Sequence, residues 1–273
     1  MKNVLKSLII VVLIVLSFSS CKSDDDPQTQ VSVKITDGPF PFNLATEANV
    51  TVKKIELKNE NGEYVTVFEG EAGYNMVSLT NGVSADVTNT EIKPGVYSKV
   101  KITIKGEGVK FSNGTNMNIF GSNTSTRTET IQPALVIEDG TNSNLLFDLD
   151  LSNSFGFSGA YGFPINWISN ASDISNILFC HFTPSFRVVD LDQTGEISGT
   201  VTLDGAGVAN AQVTITANGD IVHTHTEENG TYKFIGILDG NYTVTVETNN
   251  NLSGTNSTVI NGTGTSTCDV SIN

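Results

Sequence analysis

Residues 50–67, VTVKKIELKNENGEYVTV, carry the pattern that decides the fold. Apolar and polar residues alternate at 50–52 and again at 55–57, as in a strand with one buried face. The apolar residues stand at even positions before the lysines at 53–54 and at odd positions after them. A β-bulge at these lysines would point Val50 and Val52, and also Ile55 and Leu57, towards the core. Asn61-Gly62 favours a hairpin turn, after which the valines of the next strand resume the alternation.

The same alternation recurs along the chain and predicts an all-β fold. It is found at 31–35, 100–104, 145–151, 197–203, 213–215 and 242–246, with turns predicted at Pro94-Gly95, Asn229-Gly230 and Asp239-Gly240. Only short helical segments are expected, around Leu79 and at 170–178.

Two further features of the pattern concern strand pairing and domain organisation. Residues 134–151, ALVIEDGTNSNLLFDLDL, are predicted to form a hairpin whose second strand points Asp148 and Asp150 outward. The pattern breaks after Asp192. We therefore predict two β-sandwich-like domains in tandem, at 31–192 and 195–273.

The first twenty residues have the parts of an export signal. Two lysines precede an apolar run of about a dozen residues, shorter than the ~20 that span a bilayer. Two serines stand directly before Cys21. This arrangement resembles the lipobox of bacterial lipoproteins, although Phe18 replaces the more usual aliphatic residue. We expect residues 1–20 to be removed and Cys21 to be acylated, for instance with palmitate; the alternative is a secreted protein in which the cysteine is incidental.

Residues 21–30 are expected to form an acidic tether. Lys22, Asp24, Asp25 and Asp26 follow the cysteine, and a run of like charge is solvated and extended. The run resembles the export tag of some Gram-negative lipoproteins, which implies an outer-membrane protein that faces the cell exterior. A plain charged spacer is the alternative.

Charge and cysteine content restrict the partners and the covalent links. The chain has 15 basic and 29 acidic residues, and loss of two lysines with the signal leaves 13 against 29, a net charge of −16. Because this charge repels polyanions and no basic cluster is seen in the sequence, we expect no nucleic-acid partner. Cys180 and Cys268 are predicted to be buried free thiols in different domains, although an oxidising compartment would permit a disulfide.

Five segments in the first domain resemble a known family. They are VSVKITDGP, VTVKKIEL, PGVYSKVKITI, LLFDLDLSNSF and FTPSFRVVD, in this order. Together they resemble domain of unknown function 4382, an exported β-rich domain of bacterial lipoproteins, over residues 31–192. That family has no established activity, so the resemblance implies a fold and assigns no functional residue.

The second domain resembles a carboxypeptidase regulatory-like domain. The resemblance lies in GEISGTVTLDGAGVANAQVTITANGDIVHTHTEENGTYKFIGILDGNYTVTVET and extends over residues 195–272. It implies a seven-stranded transthyretin-like sandwich that serves as a spacer or binding module.

Few residues offer catalytic or metal chemistry. His223 and His225 lie two apart on a predicted strand, but the polar sequence around them favours solvent-facing side chains, and we predict no metal site and no cofactor. GFSGA, at 156–160, lacks the last glycine of the GxSxG nucleophile elbow. The Asp-x-Asp pairs at 148–150 and 190–192 could offer oxygens to calcium, yet outward-facing acids explain them as well. We predict that the chain is not an enzyme.

The segment SFGFSGAYGFPINW, residues 154–167, differs from the strands around it because aromatic residues are interleaved with glycines. Exposed rings of this kind suit stacking on sugars or contact with a protein. We name five residues as a candidate ligand platform: Phe155, Phe157, Tyr161, Phe163 and Trp167. The alternative is a loop that folds over the end of the sandwich and buries its rings.

These patterns favour a non-catalytic, lipid-anchored cell-surface protein with a binding, adhesive or structural role. Its expected partners are the membrane, through the anchor, and a polysaccharide or a surface protein. The alternative is a glycan-binding accessory lipoprotein of a carbohydrate-acquisition system, with the aromatic segment as its site. A hydrolase is least supported, because no nucleophile with its base can be assembled.

Overall fold

The computed structural model describes residues 29–40, 43–159, 171–217 and 220–273. Strands make up most of these residues, and their apolar side chains form two separate hydrophobic cores. The predicted all-β fold is confirmed. Within the described residues, no helix has both the length and the apolar character needed to cross a bilayer.

The first core is built by strands β1 to β11. Their bounds are β1 Gln30–Gly38, β2 Ala45–Asn59, β3 Tyr64–Asn75, β4 Ala85–Glu91, β5 Gly95–Phe111, β6 Asn116–Asn118, β7 Thr124–Ile137, β8 Asn142–Asp150, β9 Phe155–Ser158, β10 Phe179–Phe182 and β11 Phe186–Asp190. Short helical segments lie at Met76–Leu79, Leu151–Ser154 and Ala171–Ile174. The first and the last of these occupy the two regions where short helices were predicted.

Nine of these strands form one sheet around the first core. The order is β3-β2-β5-β7-β11-β8-β1-β4, with β6 on β5, while β9 and β10 pair separately. The two ends of this order approach each other, since the Tyr74 hydroxyl on β3 donates to the Asp86 carbonyl on β4 over 2.9 Å. The sheet therefore curls around its core.

The opening stretch forms β2 and β3 as predicted. The register of β2 shifts between Val52 and Lys54 against both neighbouring strands, which is the expected bulge. As a result Val52 and Ile55 are both fully buried although they differ in parity. Gly62 adopts a φ of 85° in the turn, a conformation that favours glycine.

The predicted hairpin at 134–151 is wrong in its pairing. β7 and β8 run antiparallel, but β11 lies between them, parallel to β7 and antiparallel to β8. Val188 of β11 stands opposite Ile131 on one side and Phe147 on the other. Alternation gives the buried face of each strand but not its hydrogen-bonded neighbour, which depends here on a strand about forty residues further along the chain.

The lysines of the first domain cluster on two neighbouring strands, contrary to the sequence-based expectation. Lys53, Lys54 and Lys58 lie on β2, and Lys99, Lys101, Lys105 and Lys110 lie on β5. The clustering arises from strand pairing, which sets Lys58 opposite Lys99. Glutamates balance much of the charge, as in the 2.9 Å contact of Lys101 with Glu56. We call this outer surface of β2 and β5 the charged face.

The second domain is a two-sheet sandwich, as predicted, but its described residues form nine strand segments where the resemblance implies seven. Its strands are β12 Gly195–Leu203, β13 Ala206–Gly207, β14 Gln212–Ala217, β15 Asp220–His225, β16 Thr231–Ile237, β17 Gly240–Glu247, β18 Ser253–Ile260, β19 Thr265–Thr267 and β20 Val270–Ser271. One sheet has the order β13-β12-β16 with β19 and β20 also on β12, and the other has the order β15-β14-β17-β18. Gly199 is required in this packing, because a Cβ there would lie 2.0 Å from the Cys268 carbonyl oxygen.

Cys180 and Cys268 are buried free thiols in different domains, which confirms the prediction. Burial raises the pKa of Cys180 to about 12. This thiol is therefore protonated and unreactive at neutral pH.

A short ordered turn joins the two domains. Residues Leu191–Gln193 form one turn of 3₁₀ helix, and the Asp190 carboxylate accepts a hydrogen bond from the Asp192 amide over 3.0 Å. Asp192 in turn accepts from the backbone and the side-chain amide of Asn144, over 2.9 and 3.0 Å. The connection is thus bonded back to β8, and the second domain packs on the outer surface of β8 and β11.

Candidate interdomain site

Both faces of β8 are buried. Leu145, Phe147 and Leu149 point into the first core, as predicted. On the opposite face Leu146 is 0% exposed and Asp148 is 6% exposed. The prediction that Asp148 and Asp150 point away from the core is right in direction, but Asp148 does not reach solvent because the second domain covers this face.

Gly236, in β16, allows the two domains to approach closely. Its φ is 67°, and a Cβ there would lie 2.8 Å from Val189 Cγ2 and 2.9 Å from Leu146 Cδ2. Backbone conformation and space therefore both require glycine at this position.

Arg187, on β11, connects both domains. Its Nε donates to Asp148 Oδ2 over 2.8 Å, while Nη2 donates to the Ile235 carbonyl over 3.0 Å and Nη1 donates to the Gly236 carbonyl. A planar guanidinium suits this task because its donors point in fixed directions. The same side chain thus neutralises a buried carboxylate and satisfies two carbonyl groups at the edge of the second domain.

A second polar contact lies in the loop before β4. Asn81, with φ of 57°, donates from Nδ2 to Glu227 Oε1 over 2.8 Å and accepts from the Lys233 amide over 2.6 Å. Asparagine tolerates this left-handed conformation better than most residues. The two contacts, at Arg187 and at Asn81, hold the sandwich at two separate points.

Asp37 is a buried carboxyl group at the end of β1. It is 6% exposed, and neither of its oxygens has a well-formed hydrogen bond, nor does Asp148 Oδ1. Burial raises the pKa of Asp37 well above its usual value, and the carboxylates of Asp148 and Asp150 add to this, while the Leu151 backbone acts in the opposite direction. The neutral acid is therefore the favoured form of Asp37.

The two histidines of β15 face the domain junction, so the prediction that they face solvent is wrong. His223 is half-buried, and its Nδ1 lies 3.0 Å from Thr214 Oγ1. Burial lowers the pKa of His223, although Asp150 and Asp148 act in the opposite direction. Burial, with a smaller effect of His223, lowers the pKa of His225 to about 4. Both imidazoles are therefore neutral at pH 7.

A cavity of about 360 Å³ lies between the domains. Residues from both domains line it: Glu129, Asp148, Asp150, Phe186, Arg187 and Val188 from the first, and Ile215, Val222, His223, Ile237, Leu238 and Tyr242 from the second are among them. We call it the interdomain cavity. Apolar walls with a few convergent polar groups are typical of small-molecule sites, which often lie between domains.

The Asp-x-Asp pairs have structural partners. Asp148 pairs with Arg187, and Asp150 caps the following helical turn by accepting from the Asn153 amide over 3.0 Å. Asp190 and Asp192 stabilise the interdomain turn. Within the described ranges, no group of three potential metal ligands is assembled.

Two of the five residues of the candidate ligand platform lie in the first core. Phe155 is 3% exposed and Phe157 is 7% exposed. Both rings pack against Phe40, with centroids 6.0 and 5.9 Å away. This corrects the prediction for these two residues, because alternation within β9 points both rings inward. Tyr161, Phe163 and Trp167 lie outside the described residues, as do Cys21, Lys22 and the aspartates at 24–26.

A serine and a histidine come together near the rejected GxSxG sequence. Ser158 Oγ lies 3.2 Å from His181 Nε2, across the β9–β10 pair. In the described part of the chain, no carboxylate is hydrogen-bonded to this histidine. Ser158 ends a strand and does not occupy a strand-to-helix turn, so the geometry of a nucleophile elbow is not formed.

Sequence reasoning missed Arg187. The signal was present, because a single arginine stands in the apolar strand sequence FRVV. An arginine within a buried strand implies a buried partner. The identity of that partner depends on which strand lies beside β11.

Family models match both halves of the chain. Residues 28–163 match domain of unknown function (DUF4382), and residues 196–273 match the carboxypeptidase regulatory-like domain. The chain therefore carries one domain of each family, in the order predicted from the sequence. No curated protein sequence is significantly similar to it.

Solved structures align with the chain at low similarity. A DUF3823 family protein from Parabacteroides merdae is 18% identical, with a TM-score of 0.24, over 29% of this chain and 45% of that one. The Bacillus anthracis TIE protein is 9% identical, with a TM-score of 0.27, over 97% and 44%. The minor pilin GBS52 of Streptococcus agalactiae is 11% identical, with a TM-score of 0.25, over 88% and 94%. The chain thus spans less than half the length of the first two, and TM-scores in this range assign no function.

Proposed function

We propose that the protein is a lipid-anchored cell-surface protein with a non-catalytic binding, adhesive or structural role. The observation that carries the proposal is the coincidence of a short apolar run, two small residues and Cys21 at the start of the chain. Each buried methylene of an acyl chain contributes ~0.8 kcal/mol to membrane binding, so more than one chain anchors a protein stably. The acidic residues that follow then hold the folded part away from the membrane.

The described residues support a role without catalysis. Asp37 and His225, two titratable groups with strongly shifted pKa values, lie at the domain junction, and the thiol of Cys180 is buried in the first core with a raised pKa. The Ser158–His181 contact lacks an acid partner among the described residues. A carboxypeptidase regulatory-like domain is also expected to serve as a spacer or binding module.

The junction suits a rigid surface element. Contacts at Arg187 and at Asn81 oppose bending between the domains. Such a pair of domains would hold its distal end at a fixed distance from the anchor, as a binding or structural protein on a cell surface requires.

Substitution of the anchor residue tests the proposal. We expect Cys21→Ala to abolish incorporation of labelled palmitate and to leave the chain unprocessed or released from the membrane fraction. Cys180→Ala is the matched control, because it removes a buried cysteine and leaves the signal intact. Labelling of the Cys21→Ala variant at the level of the control would refute the anchor.

The acidic run is proposed as a tag for the outer face of the outer membrane. Replacement of Asp24, Asp25 and Asp26 by alanine should reduce digestion by protease added to whole cells, with the amount of lipidated protein unchanged. A variant that removes three exposed glutamates, Glu60, Glu69 and Glu228, controls for net charge. Equal digestion of both variants would show that the acidic run is only a spacer.

Glycan binding is the alternative role, and it now depends on Tyr161, Phe163 and Trp167. Trp167→Ala should abolish binding on a glycan array if this role is correct. Phe157→Ala should instead lower stability, because that ring is buried in the first core. Absence of array binding by the unaltered protein would contradict the alternative.

A further inference from the structure

An exposed group of aromatic rings lies where the loop after β6 meets β10 of the first domain. Phe120 is 58% exposed although its ring is apolar. Its ring centroid lies 4.7 Å from that of Phe179 and 5.9 Å from that of His181, and the ring planes of Phe120 and His181 are almost perpendicular, at 88°. We call these three rings the aromatic patch.

The backbone fixes the position of Phe120. Its amide donates to the Cys180 carbonyl over 2.7 Å, and Ile119 forms a parallel bridge with Cys180, which is buried in the first core. Gly121 follows with a φ of 86°, a conformation that favours glycine. The exposed ring is therefore held in place before any partner binds, which lowers the entropic cost of binding.

A buried serine orients the imidazole of the patch. Ser158 is 5% exposed, and its Oγ lies 3.2 Å from Nε2 of the exposed His181. This contact leaves Nδ1 as the ring nitrogen for a ligand. Gly156 stands opposite His181 in the β9–β10 register and is exposed, and a Cβ there would meet no described atom within 4 Å. Open space therefore adjoins an oriented polar group.

The charges around the patch favour a neutral occupant. None of the five residues Phe120, Gly156, Ser158, Phe179 and His181 has a carboxylate, an ammonium or a guanidinium group. The whole chain has a net charge of −14, which repels acidic polymers. A flat aromatic face packs well on the axial C–H groups of a pyranose, and an imidazole nitrogen can form a hydrogen bond with a sugar hydroxyl.

We propose that the aromatic patch binds a pyranose unit of a neutral polysaccharide. The sugar ring stacks on Phe120, and one of its hydroxyl groups bonds to Nδ1 of His181 in the open space beside Gly156. This inference rests on the glycan-binding alternative and deepens it, because it assigns a sugar contact to residues outside the predicted platform.

Affinity electrophoresis of the full-length chain in nonionic detergent tests the proposal, in gels that contain β-glucan, galactan, mannan or xylan. We expect at least one of these neutral polysaccharides to retard the protein, and acidic polygalacturonate to retard it less. Phe120→Ala should lower the affinity at least ~10-fold, as is common when a contacting aromatic side chain is removed. Tyr64→Ala is the matched control and should retain affinity. Its ring is also exposed, at 38%, but Lys101 Nζ lies 4.1 Å from the ring centroid.

Gly156→Val is a second variant that leaves all three rings in place. Gly156 does not adopt a left-handed conformation, and a Cβ there meets open space, so the variant should fold with an unchanged midpoint of urea unfolding. The added side chain stands beside the imidazole of His181, because directly opposed residues of antiparallel strands are neighbours. It should therefore weaken polysaccharide binding as Phe120→Ala does.

The outcomes separate the patch from the wider role. Undiminished affinity in both Phe120→Ala and Gly156→Val, or equal losses in Phe120→Ala and Tyr64→Ala, would overturn the patch and leave glycan binding in place. Tighter binding of polygalacturonate would contradict a neutral occupant. If none of the four neutral polysaccharides retards the unaltered protein, the patch and the glycan-binding alternative both fail. Anchoring through Cys21 is independent of all these results.

Discussion

The first domain has two outward surfaces with the same alternation of apolar and polar residues but different surroundings. On the charged face, lysines and glutamates of β2 and β5 remain in contact with solvent, as in Lys54, whose side chain is 32% exposed. On the face formed by β8 and β11, Leu146 and Val189 are buried beneath the second domain. Alternation predicts which residues point away from the core, but it does not predict what covers them.

The two surfaces place different demands on their polar groups. Water can replace any lost partner on the charged face, and exposed ion pairs there contribute at most ~1 kcal/mol each. At the junction a polar group must find its partner within the protein, because an unpaired buried group is costly. Asp148 finds that partner in Arg187.

The largest expected effect comes from removing the charged group that connects the domains. Arg187→Ala should lower the free energy of unfolding by roughly 3 kcal/mol, because it leaves a buried carboxylate and two carbonyls without their donors. Lys54→Ala, which loses contacts of 3.6 and 3.7 Å to Glu56 and Glu69, should cost less than ~1 kcal/mol. Urea unfolding of both variants measures the difference. Equal losses of unfolding free energy would show that a polar group at the junction contributes no more to stability than one on the charged face.

A smaller effect is expected from apolar truncation on the covered face. Leu146→Ala should cost about 2–3 kcal/mol, since it removes a fully buried side chain and leaves a cavity at the junction. Val136→Ala on β7, where the side chain is 56% exposed, should change stability by less than ~0.5 kcal/mol. Similar melting temperatures for the two variants would mean that the second domain does not cover β8 in solution.

A further expected effect concerns pH and the buried acid at the end of β1. The pKa of Asp37 is raised in the folded chain, so its contribution to stability is fully present below the usual pKa of about 4 and is lost as pH rises through the raised value. Asp37→Asn mimics the neutral acid and should avoid this loss. The free energy of unfolding of the Asp37→Asn variant, minus that of the unaltered chain, should therefore increase as the pH rises from 4 to 8.

His225 and Asp86 must be considered when this pH dependence is interpreted. His225, whose pKa is lowered to about 4, makes the chain less stable as pH falls from 6.5 through that value. This contribution is present in both chains and changes with pH in the opposite direction to that of Asp37. Asp86→Asn, at a side chain that is 77% exposed, is the matched substitution at the surface. If Asp37→Asn behaves like Asp86→Asn, Asp37 is ionised in the folded protein.

Strands such as β2 and β8, the bulge between Val52 and Lys54 and the turn at Gly62 were predictable from the sequence, because side-chain parity and turn chemistry are set by residues a few positions apart. The order of the two families was predictable only from resemblance to known sequences. The burial of Phe155 and Phe157 was open to the argument from parity, but their glycine-rich surroundings obscured the alternation in the short strand β9.

Tertiary structure alone decided the insertion of β11 between β7 and β8, the partner of Arg187 and the burial of His223 and Asp148. Each of these depends on contacts between residues roughly forty or more positions apart. Alternation leaves such contacts open, since any strand with a suitable apolar face can pair with any other. The sequence by itself determined which side of each strand is apolar. The packing of the second domain on β8 and β11 decided which polar groups left water, and therefore which of them required a partner within the protein.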